Sequence, residues 1–245
     1  MWTPSALASE ARPWAHTVWR IVESASITST LKLVDTLGEQ ALLEDLLERG
    51  KPPVPPECAG LDFLMAAPFR YASYPHGSRF RRAQQRDGAY YASENVRTAM
   101  AEMAFYRLLF FSHAPGVKLP ANPVEHTAFR VGCRTAGMLD LTLPPLSHDE
   151  DRWTHLTDYQ DLADAARQAG IEVLRYHSVR DPHGGMNAAL FTPLAFTAKK
   201  PDRMETWSLF VRPTTVQAIR EFPRLRLEFP VTLFSADPRM AVLLK

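Results

Sequence analysis

One carboxylate stands inside a strongly apolar stretch of the chain. Glu102 lies within TAMAEMAFYRLLFF (98–111), where Thr98 and Tyr106 are its neighbours four residues away in a helix. A carboxylate in such surroundings loses hydration, which is costly unless a cation or a hydrogen-bond donor pairs with it. Two interpretations follow: a catalytic acid, or a structural acid that pairs with an arginine or faces solvent.

The loop SYPHGSRFRRAQQRDG (73–88) is rich in arginine and has a glycine near each end. Guanidinium groups bind phosphate through bidentate, charge-assisted hydrogen bonds, and glycine lets the backbone approach a ligand closely. Phosphate binding is one interpretation, and a solvated surface loop is the other. The arginines of this loop are Arg79, Arg81, Arg82 and Arg86.

Arg20 interrupts the strand-like run TVWRIV (17–22). Side chains alternate between the two faces of a strand, so Val18, Arg20 and Val22 share one face. If that face is buried, the guanidinium needs an anion, either a protein carboxylate or a ligand phosphate. If the face is exposed, the arginine needs no partner, and the sequence leaves both interpretations open.

The segment RYHSVRDPHGGMNAALF (175–191) runs from a strand into a polar, glycine-rich turn. Ser178, Arg180, Asp181 and Asn187 cluster there. A turn alone explains the aspartate, the proline and the two glycines, because these residues favour turn conformations. Ser178 is therefore a candidate only if other residues support it.

Other kinds of chemistry are excluded by residue content. The eight histidines are scattered, the two cysteines lack metal-binding spacing, and there is no HExxH, GxSxG, GxGxxG or GxxxxGK[ST] motif. We therefore expect no metal site, no hydrolase triad, no Rossmann fingerprint and no P-loop.

Composition describes an ordinary globular chain. Of 245 residues, 46% are hydrophobic and 22% charged, and the net charge of +1 argues against a protein that coats nucleic acid or anionic lipid. Two cysteines do not make a disulfide framework, which favours a reducing compartment. We find no signal peptide and no apolar run of bilayer length, so the expected location is the cytoplasm.

The elements that would position these residues mix helices and short strands without regular alternation, which predicts an α+β fold. Helices are expected over 27–49, from the cap at 93–95 to about residue 111, and over 158–169. Strands are expected at 17–22, 67–71, 89–92, 125–133, 137–143, 171–177, 186–192, 205–212 and 224–232. The break KPPVPPE (51–57) separates an N-terminal helical elaboration with the first core strand (1–56) from the core (57–245), within a single domain overall.

The order of these residues resembles an RES domain, a family named for an arginine, a glutamate and a serine. Its members are toxins of RES–Xre toxin–antitoxin pairs, and this chain looks closest to the ParT-like branch. Trp19–Arg20 matches an early aromatic–arginine pair, Arg79 follows glycine, and Tyr91 with Glu94 matches a Tyr-x-Ala-Glu strand. The helix glutamate is Glu102 and the serine is Ser178. The resemblance covers about residues 15–195.

The resemblance implies an ADP-ribosyltransferase-like core of two small β-sheets with flanking helices, which binds NAD⁺ in a cleft. Related toxins degrade NAD⁺ by hydrolysis or phosphorolysis, or transfer ADP-ribose to a protein. Their partner is an Xre-type antitoxin whose C-terminal segment occludes the active site. We expect NAD⁺ as the substrate, with no metal, no direct nucleic-acid contact and no membrane partner.

The chemistry assigns expected roles. Cleaving the nicotinamide–ribose bond passes through an oxocarbenium-like transition state, which the negative charge of Glu102 would stabilise. Arg20 and Arg79 would bind the pyrophosphate. Tyr91 offers a flat surface for the nicotinamide ring, and Ser178 would hydrogen-bond the ribose or a phosphate.

Two departures from the family pattern bear on the reaction. GSRFRR stands where many members have GRWN, which affects the details of the phosphate loop. Met100 occupies the position two residues before Glu102, where transferases commonly hold an acidic or amide residue that selects the acceptor. This favours NAD⁺ degradation over mono-ADP-ribosylation of a protein. A non-catalytic interaction protein is the remaining alternative. The presence of all four polar residues of the pattern weighs against it: Arg20, Arg79, Glu102 and Ser178.

Overall fold

The computed structural model describes residues 2–24, 33–70, 76–113, 116–148 and 156–240. Helices and strands are mixed along the chain, which confirms the α+β class. In chain order the elements are α1 (Pro4–Ser9), β1 (Arg12–Glu23), α2 (Leu37–Arg49), α3 (Phe63–Ala66), β2 (Tyr90–Ser93), α4 (Val96–Ser112), β3 (Val124–Asp140), α5 (Leu156–Gln168), β4 (Val173–His177), β5 (Met186–Leu190), β6 (Arg203–Val211), β7 (Thr215–Arg220) and β8 (Leu225–Pro230).

The strands hydrogen-bond into one sheet with the order β1-β2-β5-β4-β3-β6-β7-β8, and β1 also pairs with β3. Through this second pairing, β1, β2, β5, β4 and β3 form a closed circuit of neighbours. Strand β3 also pairs with β6 through residues 124–130 and with β4 through residues 138–140. The two small sheets that the resemblance implies are joined into one, because β3, with 17 residues, is long enough to belong to both.

Helix α4 begins where the sequence predicts. The side chain of Asn95 accepts a hydrogen bond from the Thr98 N–H at 2.8 Å and so caps the helix. One side of the helix packs into a core with β6, β7 and β8, and Glu102 is half-buried beside it. The fully buried members of α4 are Thr98, Met100, Ala101, Ala104 and Phe105.

Strands β2 and β5 bring two distant polar residues together. They pair antiparallel, and Ser93 lies opposite Asn187 in the register. Strand β4 is the other neighbour of β5, and the chain leaves its end at His177 directly into the turn that contains Ser178. Helix α4 follows β2 after two residues, so its first turns lie beside the same strands.

The strand expected over 67–71 is wrong in the part that the structure describes. Residues 63–66 form helix α3, which the Asp62 side chain caps by accepting the Leu64 N–H at 2.9 Å. A 3-10 turn follows over Ala67–Phe69, and residue 71 lies outside the described residues. A short apolar run does not distinguish a strand from a buried helical turn, which explains the error.

The helix expected over 27–49 begins only at Leu37. The Thr36 hydroxyl accepts the Glu39 N–H, and the Glu39 carboxylate accepts the Thr36 N–H, a capping box that begins the helix there. Residues 25–32 lie outside the described residues. Elsewhere, the strands expected at 125–133 and 137–143 are one strand, β3, and the sequence did not predict β7 before β8.

Helix α2 stands largely apart from the core. Leu42, Leu46 and Leu47 are each more than half exposed. An ion pair of 2.5 Å between Arg70 and Glu48, and a hydrogen bond of 2.7 Å from Arg70 to the Pro52 carbonyl, tie the end of this helix to the body. Among the described residues, no helix is both long and apolar enough to cross a membrane.

Candidate active site

The Glu102 carboxylate is held by two neutral donors. The Ser178 hydroxyl and the Asn187 amide nitrogen each donate to Oε1 of Glu102 at 2.7 Å. Ser178 and Asn187 are buried, whereas Glu102 is half-buried. Among the described residues, the hydrogen-bond donors to Glu102 are therefore a serine and an amide rather than an arginine, and the structure brings Glu102 and Ser178 together as the resemblance implies.

Both donors are themselves oriented by hydrogen bonds. The Ser178 oxygen accepts the backbone N–H groups of Arg180 and Asp181, each at 3.2 Å, so its own proton is directed to Glu102. The Ser93 hydroxyl donates to Oδ1 of Asn187 at 2.6 Å, which turns the amide nitrogen toward Glu102. The carboxylate is thus fixed by a pre-arranged polar network.

The turn after β4 is attached to α4 at three successive points. Thr98 donates to Asp181 at 2.7 Å, Glu102 accepts from Ser178, and the Phe105 ring lies 3.7 Å from the Arg180 guanidinium. Thr98, Glu102 and Phe105 have the spacing i, i+4, i+7, which places them on one face of a helix. This spacing is the sequence signal that would have identified the contact.

Gly185 allows the turn to come this close. A Cβ atom at this position would lie 2.0 Å from Oγ1 of Thr98 and 2.6 Å from Oδ2 of Asp181. The Gly185 carbonyl also accepts the Ser178 N–H at 2.8 Å, which closes the turn. A residue without a side chain is required here because the helix occupies that space.

Arg79 lies over two tyrosines near the carboxylate. Its guanidinium is 4.9 Å from the ring of Tyr159 and 5.2 Å from the ring of Tyr176. Burial lowers the pKa of Arg79, but Tyr176, Tyr159, Glu102 and other nearby groups together hold it above its ordinary value. The residue therefore stays cationic, and Glu102 is one of the groups near it that favour its charge.

Arg20 reaches β2 rather than Glu102. It donates from Nη1 to the Tyr91 carbonyl at 2.8 Å, and its guanidinium lies 5.2 Å from the ring of Tyr90. Its Nε atom is buried and has no hydrogen-bond partner among the described residues. Arg20 therefore contacts β2, the strand whose Ser93 orients Asn187 of the Glu102 network. Its Nε can still donate a hydrogen bond to an anion.

Tyr91 has its hydroxyl and one ring face engaged with the arginine-rich loop. The hydroxyl shares a hydrogen bond with Ser78 at 2.8 Å and accepts the Phe80 N–H at 3.1 Å. The rings of Tyr91 and Phe80 are stacked 6.4 Å apart, and burial raises the Tyr91 pKa. Its expected contact with nicotinamide stays a prediction.

Two other residues of the sequence motifs are engaged in ion pairs. Glu94 accepts two hydrogen bonds from Arg175 at 2.6 and 3.0 Å, so this carboxylate connects β2 to β4. Arg82 pairs with Asp161 and Asp164 of helix α5. Arg82 therefore fixes the loop to that helix.

A separate cavity of about 280 Å³ lies on another side of α4. Its polar groups bind each other: Arg107 pairs with Glu23 and donates weakly to His126 at 3.4 Å. Among the described residues, no group of three or more histidine, cysteine or acidic side chains is arranged to hold a metal ion.

The family model described as the RES domain matches residues 54–212. This chain belongs to the RES-domain family. No curated protein shows significant similarity to it. A chain in the crystal structure of the M. tuberculosis MbcT–MbcA toxin–antitoxin complex is similar at 13% identity and a TM-score of 0.45, over 83% of this chain and 92% of that chain.

The matched range divides the candidate residues of this RES-domain chain. Arg79, Tyr91, Glu102 and Ser178 lie inside it, and Arg20 lies before it. Strands β7 and β8 and the segment up to Met240 lie beyond it. Structural pairing of β1 with β2 and β3 brings Arg20 beside the matched part.

Proposed function

We propose that this RES-domain protein is a toxin that binds NAD⁺ and cleaves its nicotinamide–ribose bond. The observation that carries the proposal is the arrangement of Glu102. Both of its protein donors go to Oε1, so among the described residues nothing donates to Oε2, which is left for a substrate. A fixed carboxylate oxygen suits the positive charge that develops on the ribose as nicotinamide leaves with the bonding electron pair.

Two arginines of the candidate site suit the phosphates of NAD⁺. Among the described residues, the buried Nε of Arg20 has no hydrogen-bond partner, and Arg79 is a half-buried cation whose pKa is raised in part by the charge of Glu102. Guanidinium groups form strong charge-assisted hydrogen bonds with phosphate oxygens. We assign both arginines to the pyrophosphate, Tyr91 to the nicotinamide side and Ser178 to orienting Glu102 and the ribose.

We propose degradation of NAD⁺ by phosphate or water as the main reaction. In either case the nucleophile forms a bond to the ribose carbon from which nicotinamide departs. Met100 is fully buried in the core that α4 forms with β6, β7 and β8. The position two residues before Glu102 is therefore not available to select a protein acceptor. This supports the preference for a small nucleophile.

Mono-ADP-ribosylation of a protein is the second candidate. Tyr106 and Phe110 follow Glu102 on α4 and are both more than half exposed. Exposed aromatic residues beside a reactive carboxylate are suited to contact with a protein. The same surface supports the proposal of an Xre-type antitoxin that covers the site, and we propose the cytoplasm as the place where both proteins act.

The decisive experiment follows nicotinamide release from NAD⁺, with and without inorganic phosphate. The expected result is turnover by the wild type and a loss of about 100-fold or more in Glu102→Gln, which keeps the shape but removes the charge. Asp202→Asn, in a half-exposed ion pair with Arg130, is the matched control and should retain activity. Equal rates for wild type and Glu102→Gln would refute the proposal.

The same assay separates the acceptors. Phosphorolysis yields a phosphorylated ADP-ribose only when phosphate is present, and hydrolysis yields free ADP-ribose in both buffers. With adenylate-labelled NAD⁺ in a lysate, a transferase instead places label in one protein band.

A further inference from the structure

The chain beyond the family match folds back onto the site. After β8, two 3-10 turns cover Val231–Phe234 and Pro238–Met240. Phe234 and Met240 are buried in the same core as α4, and the rings of Phe234 and Phe105 lie 5.6 Å apart. This C-terminal segment, residues 231–240, is thus packed against the helix that carries Glu102.

Asp237 is the polar centre of the C-terminal segment. It is 8% exposed and accepts hydrogen bonds from two arginines: Arg180 at 2.6 Å, and Arg239 at 2.7 and 2.9 Å. Hydrogen bonding from Arg239 and the nearby charges hold the Asp237 pKa well below its usual range. The carboxylate is therefore ionised and joins the C-terminal segment to Arg180.

Arg180 belongs to the turn that carries Ser178. Its side chain is 11% exposed, between Asp237 and the Phe105 ring. Its backbone N–H donates to the Ser178 oxygen and so helps to direct the Ser178 proton to Glu102. Between Asp181 and Gly185 the turn is exposed, so Arg180 and Asp181 are its anchors on α4 and the C-terminal segment.

We propose that Asp237 is a positioning residue for the active site. It holds Arg180 against Phe105, which keeps the Arg180 N–H aimed at Ser178 and the Ser178 hydroxyl aimed at Glu102. This inference rests on the proposed function for its effect on turnover. Its structural part, the immobilisation of the turn over residues 178–185 by a residue outside the family match, is independent of turnover.

The first test is hydrogen exchange of the backbone amides over residues 178–185 in the wild type and in Asp237→Asn. Loss of the anchor should speed exchange there by about tenfold or more, because the turn then opens locally. Glu205→Gln is the matched control: it also removes a buried carboxylate shared by two arginines, Arg203 and Arg220. It should leave exchange over 178–185 unchanged, and equal exchange in Asp237→Asn would overturn the proposal.

The second test is a double-mutant cycle on nicotinamide release. Asp237→Asn should lower kcat about tenfold with a smaller change in KM, and should cost less than about twofold in a Ser178→Ala background, because residues that act through one another are not additive. Fully additive losses would overturn the positioning role. Wild-type protein that releases no nicotinamide would refute the proposed function, while hydrogen exchange still decides whether Asp237 holds the turn.

A milder variant covers the case in which Asp237→Asn does not fold. Arg180→Lys keeps the charge beside Asp237 but loses the flat guanidinium over Phe105. It should speed exchange over 178–185 in the same direction by about threefold. Exchange that stays at the wild-type rate in this variant also counts against the proposal.

Discussion

Glu102 shows how a residue that looks anomalous in sequence is accommodated in the structure. The apolar segment around it predicted a carboxylate that needs a partner, and the structure supplies Ser178 and Asn187 as partners. The resemblance to RES domains identified Ser178, which on its own resembled a turn residue. Asn187 lies in the same cluster, but the sequence does not identify it as a partner of Glu102, because a single amide in a strand carries no signal of which side chain it faces.

Asn187→Asp should move the pH dependence of turnover upward. An aspartate there would lie at hydrogen-bond distance from Glu102, and two adjacent carboxylates hold a shared proton that raises the pKa of the pair. We expect reduced kcat at neutral pH and partial recovery at higher pH, with the profile displaced by about one unit or more. Turnover measured from pH 5 to 9 checks this. Asn187→Ala is the control, which should lower kcat without displacing the profile.

At the scale of elements, the sequence predicted α4 and the strands around it well. The cap at Asn95 and the continuous apolar run have a local cause, so they are visible without tertiary information. The wrong or missing elements lie where tertiary packing, rather than local sequence, decides the secondary structure. Residues 67–69 are apolar enough for a strand but turn after the helix capped by Asp62, and β7 exists because β6 and β8 pair on either side of it.

The close contact between the Ser178 turn and α4 predicts the effect of Gly185→Ala. The added methyl would overlap the Thr98 hydroxyl, so the Thr98–Asp181 hydrogen bond must break or the turn must move. We expect a loss of roughly 1–3 kcal/mol in the free energy of unfolding, measured by urea denaturation.

Two comparisons test the cause of that loss. Gly184→Asn, at a neighbouring open position with φ of 68°, should be nearly neutral, because asparagine tolerates this conformation. Gly185→Ala combined with Thr98→Ala should lose less than the sum of the two single variants. Strict additivity would mean that the methyl and the hydroxyl do not compete for space.

At the scale of the molecule, the proposed site draws on residues from both sides of the family match. Arg20 enters from β1, before the family match, and Asp237 enters from the segment beyond it. We propose a single domain with an N-terminal elaboration (1–56) and a core (57–245). The pairing of β1 with β2 and β3 of the core supports the single domain. Sequence motifs did not predict the contact between the C-terminal segment and Arg180, since Asp237 reaches Arg180 through a fold-back that no local pattern reveals.

An ion-pair network at the junction of three strands predicts how stability responds to acid. Asp140 accepts from Arg175 at 2.7 Å and from Thr142 at 2.6 Å, and Arg175 also binds Glu94. Burial raises the Asp140 pKa, but these hydrogen bonds outweigh it and leave the pKa below its usual value. The ionised Asp140 therefore stabilises the fold above the pKa that it has in the unfolded chain. This stabilisation is lost as the pH falls through its pKa in the folded protein.

Asp140→Asn should therefore lower the free energy of unfolding at pH 7 by about 1–3 kcal/mol, and the difference from wild type should shrink in acid. Urea denaturation at pH 7 and below pH 4 measures both values. The half-exposed pair of Asp202 with Arg130 gives the control, since Asp202→Asn should cost less than about 1 kcal/mol at either pH. A difference as large in acid as at pH 7 would contradict the role of the ionised Asp140.

The long strand β3 has a consequence for how the protein melts. Its residues form hydrogen bonds with β1, with β4 and with β6, so the part of the sheet that carries Arg20 and the part that carries β7 and β8 share one backbone. If either part unfolded, β3 would lose hydrogen-bond partners, and the unpaired edge of β3 in the remaining part would be exposed to solvent. Heating should therefore disrupt the part with Arg20 and the part with β7 and β8 in one cooperative transition, so that no partly folded species keeps one of them intact.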